Sequence, residues 1–152
     1  MNVAKKIFFI VLLIGLGTSF AQNIYVNPGI KLGYMFGEKG GFVFGFELSI
    51  TRLDDKRDFI WGYVFDYDMT KKIKRIHLGI EAYRMLLGLD VGPTFAWVEG
   101  ERYLGFSFIP YGGAVLYPFY NYTFLFPNTT FQEIGSYIKF TLPNTNRTFS
   151  LQ

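Results

Sequence analysis

Nine ionisable side chains stand out in this sequence because each lies in a stretch that is otherwise apolar or rich in glycine. Six are carboxylic acids, two are lysines and one is the only histidine of the chain. Such groups can pair with one another, a histidine can act as a base near neutral pH, and surplus carboxylates can attract a cation. The nine residues are Lys31, Glu47, Asp66, Asp68, His77, Glu81, Asp90, Glu133 and Lys139.

Catalysis at His77 requires a nucleophile or a second acid-base group within hydrogen-bonding reach. The next residues on its own strand face are Gly79 and Glu81, and Glu81 is four residues away, about 13 Å along an extended strand. Three serines can approach only from other strands. We therefore predict no catalytic residue and no enzyme activity, and expect His77 to be a hydrogen-bonded interior side chain. The three serines are Ser49, Ser107 and Ser136.

The charge of these nine residues is unbalanced, since six acids stand against two lysines if His77 is neutral. The surplus acids must lie near strand ends, be protonated or bind a cation. We expect a salt-bridged, hydrogen-bonded network of side chains, and predict no metal ion and no cofactor. The chain has no cysteine, which excludes disulfides, thiol nucleophiles and cysteine zinc sites.

The elements that carry these residues are predicted to be β-strands, because hydrophobic residues alternate with polar or small ones. The stretch GFVFGFELSIT, residues 41–51, places Phe42, Phe44 and Phe46 on one face and Gly45 and Glu47 on the other. The seventh segment has aromatic residues at both parities, so its faces are not assigned. The predicted strands are 29–36, 41–51, 60–69, 76–83, 87–97, 103–109, a segment within 115–126, and 133–142, joined by GEKGG, RLDDKRD (52–58), TKKIK (70–74), VEGER (98–102), PYGG (110–113) and FPNTTFQ (126–132).

The two faces of these strands differ in chemistry. In a soluble sheet the face opposite the core meets water and is rich in Lys, Glu, Gln and Thr, whereas here that face is mainly glycine with sparse polar residues, as in a crowded and tightly bent small barrel. The aromatic face would promote aggregation in water but suits a bilayer. We therefore predict that the nine ionisable residues face a barrel lumen. The predicted lipid-facing residues are Phe42, Phe44, Phe46, Leu48, Trp61, Phe65, Leu89, Phe106, Phe108 and Phe140.

The N-terminal residues have the pattern of a secretory signal peptide. MNVAKK is a basic head, residues 7–17 are an apolar run, and Ser19 and Ala21 are the small residues of a cleavage site. We predict residues 1–21 to be the signal peptide and residues 22–152 to be one domain. Lys5 and Lys6 carry two of the three net positive charges, so the exported domain lacks the basic face that nucleic-acid binding needs.

One short basic cluster follows the third predicted strand. It consists of Lys71, Lys72, Lys74 and Arg75. We expect it to be a solvated turn, and contact with the phosphates of lipopolysaccharide is the alternative.

An exported chain with eight alternating segments, aromatic on one face and glycine-polar on the other, resembles the small eight-stranded outer-membrane barrels of Gram-negative bacteria, such as the OmpA transmembrane domain. The resemblance covers residues 24–142 and is one of pattern; such barrels commonly end on an aromatic residue, whereas this chain continues past Phe140. It implies an all-β, antiparallel, up-and-down transmembrane barrel in the outer membrane. The implied partners are outer-membrane lipid, lipopolysaccharide and the outer-membrane assembly machinery, and the implied state is a monomer.

The predicted function is that of a small outer-membrane barrel with a closed polar lumen and a structural or envelope-interacting role, without an open pore. Two alternatives stay open. The first is a soluble periplasmic or secreted β-sandwich or lipocalin-like ligand-binding domain, whose aromatic face would be its core. The second is a lipid-modifying outer-membrane enzyme that uses His77. Three prolines, Pro93, Pro110 and Pro118, lie in or beside predicted strands, where each removes one hydrogen-bond donor.

Overall fold

The computed structural model describes residues 24–54 and 59–143, so the predicted signal peptide at 1–21 lies outside the described residues. Within these two ranges, no helix is long and apolar enough to cross a membrane. The described strands are β1 (Ile24–Met35), β2 (Gly41–Asp54), β3 (Phe59–Met69), β4 (Ile73–Arg84), β5 (Leu87–Val98), β6 (Glu101–Gly112), β7 (Leu116–Leu125), β8 (Thr129–Lys139) and β9 (Leu142–Pro143).

The sheet closes on itself. Strands β1 to β8 each pair in antiparallel fashion with the next one, and β1 pairs with both β2 and β8. At the closing seam Gly33 lies opposite Val43 in β2 and Gly135 in β8. The predicted all-β, up-and-down barrel of eight strands is therefore confirmed. β9 adds two residues that pair with the start of β1.

The alternation in the sequence becomes an alternation of burial in the barrel wall. In β3, Val64 and Asp66 are buried, whereas Tyr63 before them and Phe65 between them are exposed. Phe42 is 86% exposed. The aromatic face therefore lies outside the barrel, and the alternative in which it forms the core of a sandwich or lipocalin-like domain is wrong.

Most strands are longer than the hydrophobic alternation predicted. β2 continues to Asp54, β4 starts at Ile73 inside the predicted turn TKKIK, β6 continues through PYGG to Gly112, and β8 starts at Thr129 inside FPNTTFQ. Polar residues stay in the ladder at these ends because pairing satisfies the backbone groups whatever the side chain is.

The predicted turn VEGER shortens to the two residues Glu99 and Gly100. Both have positive φ angles, 52° and 96°, as a two-residue type I′ hairpin turn requires.

The faces of β7 are decided only by the folded barrel. Phe119, Asn121 and Thr123 point inward and are buried, while Tyr120 and Tyr122 point outward. Aromatic residues occur at both parities because β7 supplies aromatic rings to the interior as well as to the outer surface.

Pro110 interrupts one seam of the barrel. On its β5 side it lies opposite Leu89, but the pairing of β6 with β7 stops at Phe108 opposite Tyr122 and resumes only at Tyr111 opposite Phe119. This is the effect expected of a residue without a backbone N–H.

Two apolar clusters of buried residues lie in the interior, one towards each end. The end that carries the β1–β2, β3–β4, β5–β6 and β7–β8 turns is called here the β1–β2 end, and the opposite one the β2–β3 end. The first cluster consists of Met35, Val43, Ile73, Ala96, Val98, Leu125 and Phe131, with Tyr103 packed against it. The second consists of Ile109, Tyr111, Phe119 and Tyr137, with Tyr83 and Tyr117 packed against it. The polar residues of the interior lie between the two clusters.

Candidate functional site

The candidate site is the network of charged side chains inside the barrel. All nine residues predicted to face the lumen, Asp68 included, are inside, and the most exposed, Lys139, has a side chain only 9% exposed. They come from β1, β2, β3, β4, β5 and β8, so only closure of the barrel brings them together. The residues are Lys31, Glu47, Asp66, Asp68, His77, Glu81, Asp90, Glu133 and Lys139.

A first cluster surrounds Lys31 in β1. Its ammonium nitrogen is 2.9 Å from Asp66 and 2.6 Å from Asp68, both in β3, and 3.5 Å from Glu133 in β8. The ammonium also lies 5.0 Å from the centre of the Phe119 ring, within the range of a cation-π contact. Three carboxylates therefore share this one fully buried lysine.

Arg75 completes the first cluster. The prediction that it lies in an exposed basic turn is wrong. Its Nε and Nη2 atoms each donate a hydrogen bond of 2.7 Å to one oxygen of Asp68, and Nη2 also donates to Glu133. The side chain is 2% exposed. The signal was present in the sequence, since Arg75 has the parity of His77 and Glu81 on β4, but the preceding lysines suggested a surface cluster.

A second cluster surrounds Lys139 in β8. Its ammonium is 2.5 Å from Glu47 and 3.3 Å from Glu81, and the hydroxyl of Tyr111 donates to Glu81 at 2.7 Å. The ammonium lies 4.9, 5.5 and 5.3 Å from three tyrosine ring centres. These rings belong to Tyr111, Tyr117 and Tyr137.

His77 lies in a chain of hydrogen bonds that crosses several strands. Its Nε2 is 3.0 Å from Asp90 Oδ2 and its Nδ1 is 3.0 Å from Thr94 Oγ1. Thr94 contacts Ser107, and Ser107 contacts Thr123. The sequence predicts that Ser107 can approach His77 only from another strand. In the structure Ser107 contacts Thr94, which in turn contacts His77.

A carboxylate, an imidazole and a hydroxyl in this order are the parts of a nucleophilic triad. Here Thr94 and Ser107 are each 1% exposed, and they lie in the polar layer between the two apolar clusters. A substrate would have to enter that packed interior to reach either hydroxyl.

The interior remains rich in acid. It contains six carboxylates against three permanent cations, Lys31, Arg75 and Lys139. Among residues 24–54 and 59–143, Oδ1 of Asp66 and Oδ1 of Asp90 have no hydrogen-bond donor, and no group of three or more acids and histidines has the arrangement of a metal site.

A cavity of about 200 Å³ lies at the β2–β3 end, next to the second cluster. Its wall combines tyrosine rings with the polar side chains of β1 and β2. The amide nitrogen of Asn27 donates to Ser49 at 3.3 Å and to Thr51 at 3.0 Å. The lining residues are Tyr25, Asn27, Ser49, Thr51, Leu53, Ile60, Glu81, Tyr83, Tyr111, Tyr117, Lys139 and Thr141.

The outer surface of the barrel is the predicted aromatic band. Nine of the ten residues predicted to face lipid are at least 37% exposed, and Leu89 is half-buried. Edge-to-face contacts join neighbouring rings, such as Phe44 with Phe46 at 5.2 Å and Trp61 with Tyr63 at 6.0 Å between centres.

Both tryptophans of the chain lie beside an arginine on this outer surface. Near the β2–β3 end Trp61 lies opposite Arg52. Near the β1–β2 end Trp97 lies opposite Lys74 on one side and Arg102 on the other. Trp and basic residues of this kind are typical of the two membrane-water interfaces.

The turns of the β1–β2 end carry exposed charges. Lys39 lies 2.9 Å and Lys72 3.6 Å from Glu99. The hydrogen bond from Lys39 lowers the pKa of Glu99, and the same bond raises the pKa of Lys39. Lys71, like Lys72, is exposed, so three of the four residues of the predicted basic cluster, Lys71, Lys72 and Lys74, are on the surface.

The fold and its interior define a class: a closed eight-stranded β-barrel with an aromatic outer surface and a charged, packed interior. Barrels of similar size are found among solved structures. Neisserial surface protein A has 14% sequence identity and a TM-score of 0.49 over 76% of this chain and 95% of that one. A de novo designed transmembrane β-barrel has 10% identity and a TM-score of 0.41 over 79% of this chain and 97% of that one.

The attachment invasion locus protein Ail of Yersinia pestis has 11% identity and a TM-score of 0.36, over 80% of this chain and 100% of that one. No protein-family model matches the chain, and no curated protein matches it in sequence.

Proposed function

We propose that this protein is a transmembrane β-barrel of a Gram-negative outer membrane, exported with its signal peptide removed. The observation that carries this proposal is the exposed aromatic surface of a closed barrel, which would be an aggregation hazard in water. The strands β1 to β8 are 10 to 14 residues long, enough for the roughly 9–11 residues that a tilted membrane strand needs.

The interior supports a structural or envelope-interacting role without an open pore. An eight-stranded barrel leaves just enough space for side chains to fill, and here apolar clusters lie on both sides of an ion-paired layer. Such a layer stabilises the barrel by satisfying its own charges. The inaccessible hydroxyls of Thr94 and Ser107 weigh against the alternative of a lipid-modifying enzyme.

The membrane proposal is tested by folding residues 22–152 into lipid vesicles and comparing the gel mobility of cold and boiled samples. We expect a heat-dependent shift, and recovery of the expressed protein in the outer-membrane fraction. Leu48, which is 42% exposed and lies near the middle of β2, is the sensitive position. Leu48→Arg should cost about 2–4 kcal/mol and reduce insertion.

Phe42→Arg is the matched control, because the same arginine at the end of the strand should cost no more than about 1 kcal/mol. Recovery of the unmodified protein in the soluble fraction, without a mobility shift, would overturn the membrane proposal. Equal effects of the two substitutions would overturn the placement of the membrane band.

We further propose that the β1–β2 end faces the outside of the cell, where Lys74, Trp97 and Arg102 contact phosphates of lipopolysaccharide. Exposed cations beside a tryptophan suit anionic headgroups at a membrane interface. Binding to vesicles that contain lipopolysaccharide should be salt-sensitive and weaker in Lys74→Gln. Arg52→Gln, the control beside the other tryptophan, should bind like the parent, and equal loss in both variants would contradict this orientation.

A further inference from the structure

The hydrogen bonds around His77 can be given directions, because each hydroxyl in the chain has one proton and can donate only once. Thr94, Ser107 and Thr123 form the chain, with oxygen separations of 2.6 Å and 2.7 Å. One end of the chain contacts Nδ1 of His77, and the other contacts the side-chain amide of Asn121. The direction at one end therefore determines the direction at every link.

The direction is set at Asn121. Its Nδ2 is 3.3 Å from Oε2 of Glu133, and the same carboxylate oxygen accepts a hydrogen bond from Arg75. A carboxylate oxygen paired with arginine is an acceptor, so the amide must present its nitrogen to Glu133 and its oxygen to Thr123. Oδ1 of Asn121 cannot donate, and the 3.0 Å contact therefore uses the proton of Thr123.

The remaining directions follow in order. Because the hydroxyl of Thr123 donates its proton to Asn121, Ser107 must donate to Thr123. Thr94 then donates to Ser107, and no proton of Thr94 is left for His77. The 3.0 Å contact between Nδ1 of His77 and Thr94 is thus a hydrogen bond only if Nδ1 carries a proton and donates it.

The other ring nitrogen has a second requirement. Nε2 of His77 lies 3.0 Å from Oδ2 of Asp90, and a hydrogen bond there needs one more proton, on either Nε2 or Oδ2. We propose that the His77–Asp90 pair is a proton-binding site, which at neutral pH holds one proton more than a neutral imidazole beside a carboxylate.

The surroundings of the pair favour the extra proton. The interior has more carboxylates than cations, and no cation lies between Asp90 and the ring. A Cβ atom on Gly79 would come within 1.8 Å of Asp90 Oδ1 and 2.6 Å of His77 Nε2, so both groups are held against the bare backbone of that glycine. The other titratable groups next to the pair are Asp66 from β3, Glu81 from β4, Tyr111 from β6 and Tyr137 from β8. Lys139 from β8, which contacts Glu81 and Glu47, and Lys31 and Arg75, which contact Asp66 and Asp68, lie farther along the network.

The inference makes stability depend on pH in a defined direction. From pH 7 upwards most histidines of an unfolded chain are neutral, so the unfolded protein lacks the extra proton that is proposed for the folded pair. Unfolding then releases a proton, and raising the pH favours unfolding. While the folded pair stays protonated, the unfolding equilibrium constant should rise about tenfold per pH unit from this pair alone.

The direct test uses the fact that His77 is the only histidine of the chain. The folded protein, without an affinity tag and with ¹⁵N-labelled histidine, is examined by NMR at pH 7. We expect Nδ1 to carry a proton and the pair to hold a second one, either on Nε2 or on the carboxyl of Asp90, which ¹³C-labelled aspartate reports. A pair that holds only one proton would overturn the inference.

Two variants test the proposed proton positions independently of the wild-type spectrum. In Asp90→Asn the new amide can donate to Nε2, so a neutral ring with a proton on Nδ1 satisfies every bond, and the pH dependence of unfolding from pH 7 to 8.5 should fall by one proton. In Thr123→Val, Ser107 is free to donate towards Thr94, so the ring should become neutral with its proton on Nε2.

An unchanged pH slope in Asp90→Asn, or a ring that keeps the Nδ1 proton in Thr123→Val, would each overturn the inference. A variant that fails to fold leaves the wild-type spectrum to decide. None of these outcomes depends on the membrane location, which the mobility and fractionation experiments test separately.

Discussion

The two ion clusters of the interior both contain more carboxylates than cations, but they differ in burial and in the cation that binds the carboxylates. In the first, three carboxylates surround Lys31 and Arg75, and every side chain is at most 4% exposed. In the second, two carboxylates share Lys139, which is 9% exposed and lies beside the 200 Å³ cavity. The first cluster is buried throughout, whereas the second has a cavity next to it.

The two clusters therefore differ in how they stabilise their surplus of negative charge. The Arg75 guanidinium binds Asp68 with two parallel hydrogen bonds of 2.7 Å, a geometry that only arginine supplies. Lys139 has only point contacts and is stabilised in addition by tyrosine rings. We therefore expect the first cluster to fail when one cation is lost, and the second to admit water instead.

The largest effect is expected for Arg75→Met, which leaves the buried carboxylates of Asp68 and Glu133 with too little positive charge. Removing one partner of a buried ion pair typically costs about 3–5 kcal/mol. Equilibrium unfolding in urea from vesicles measures the loss. Arg75→Lys is the control, because it keeps the charge but loses the paired hydrogen bonds. Its stability should lie between those of the wild-type protein and Arg75→Met. A loss below about 1 kcal/mol for Arg75→Met would show that the buried pairs are not needed.

A smaller effect is expected for Lys139→Met, about 1–3 kcal/mol, because water in the adjacent cavity can solvate the carboxylates of Glu47 and Glu81. The same unfolding experiment applies. If Lys139→Met costs as much as Arg75→Met, the cavity has no influence and the distinction between the clusters is wrong.

Arg75 shows why a sequence can place a residue on the correct face and still misjudge its role. Its parity agrees with that of His77, but it follows three lysines within five positions of the chain, and a basic run at the end of a strand is usually solvated. The decisive information is the acid surplus across the barrel, from Asp68 in β3 and Glu133 in β8. Neither residue is a neighbour that the local pattern around Arg75 can report.

The partners of His77 were hidden for a related reason. Along β4 the next residues on its face are Gly79 and Glu81, whereas its hydrogen bonds go to Asp90 and Thr94 in the adjacent strand. Cross-strand neighbours depend on register, and register depends on turn length. Several predicted turns, such as VEGER and FPNTTFQ, were longer than the observed ones, so the pairing could not be derived from the sequence.

The sequence by itself determined the architecture and the inward and outward faces of every strand except β7, because a period of two is a local property of extended backbone and is written directly in residue order. It also determined that acids outnumber bases on the inner face. Only the tertiary structure decided which charges meet. Lys31 reaches Asp66 across 35 residues and Arg75 reaches Glu133 across 58, because closing the sheet turns distant positions of equal parity into neighbours in one enclosed space.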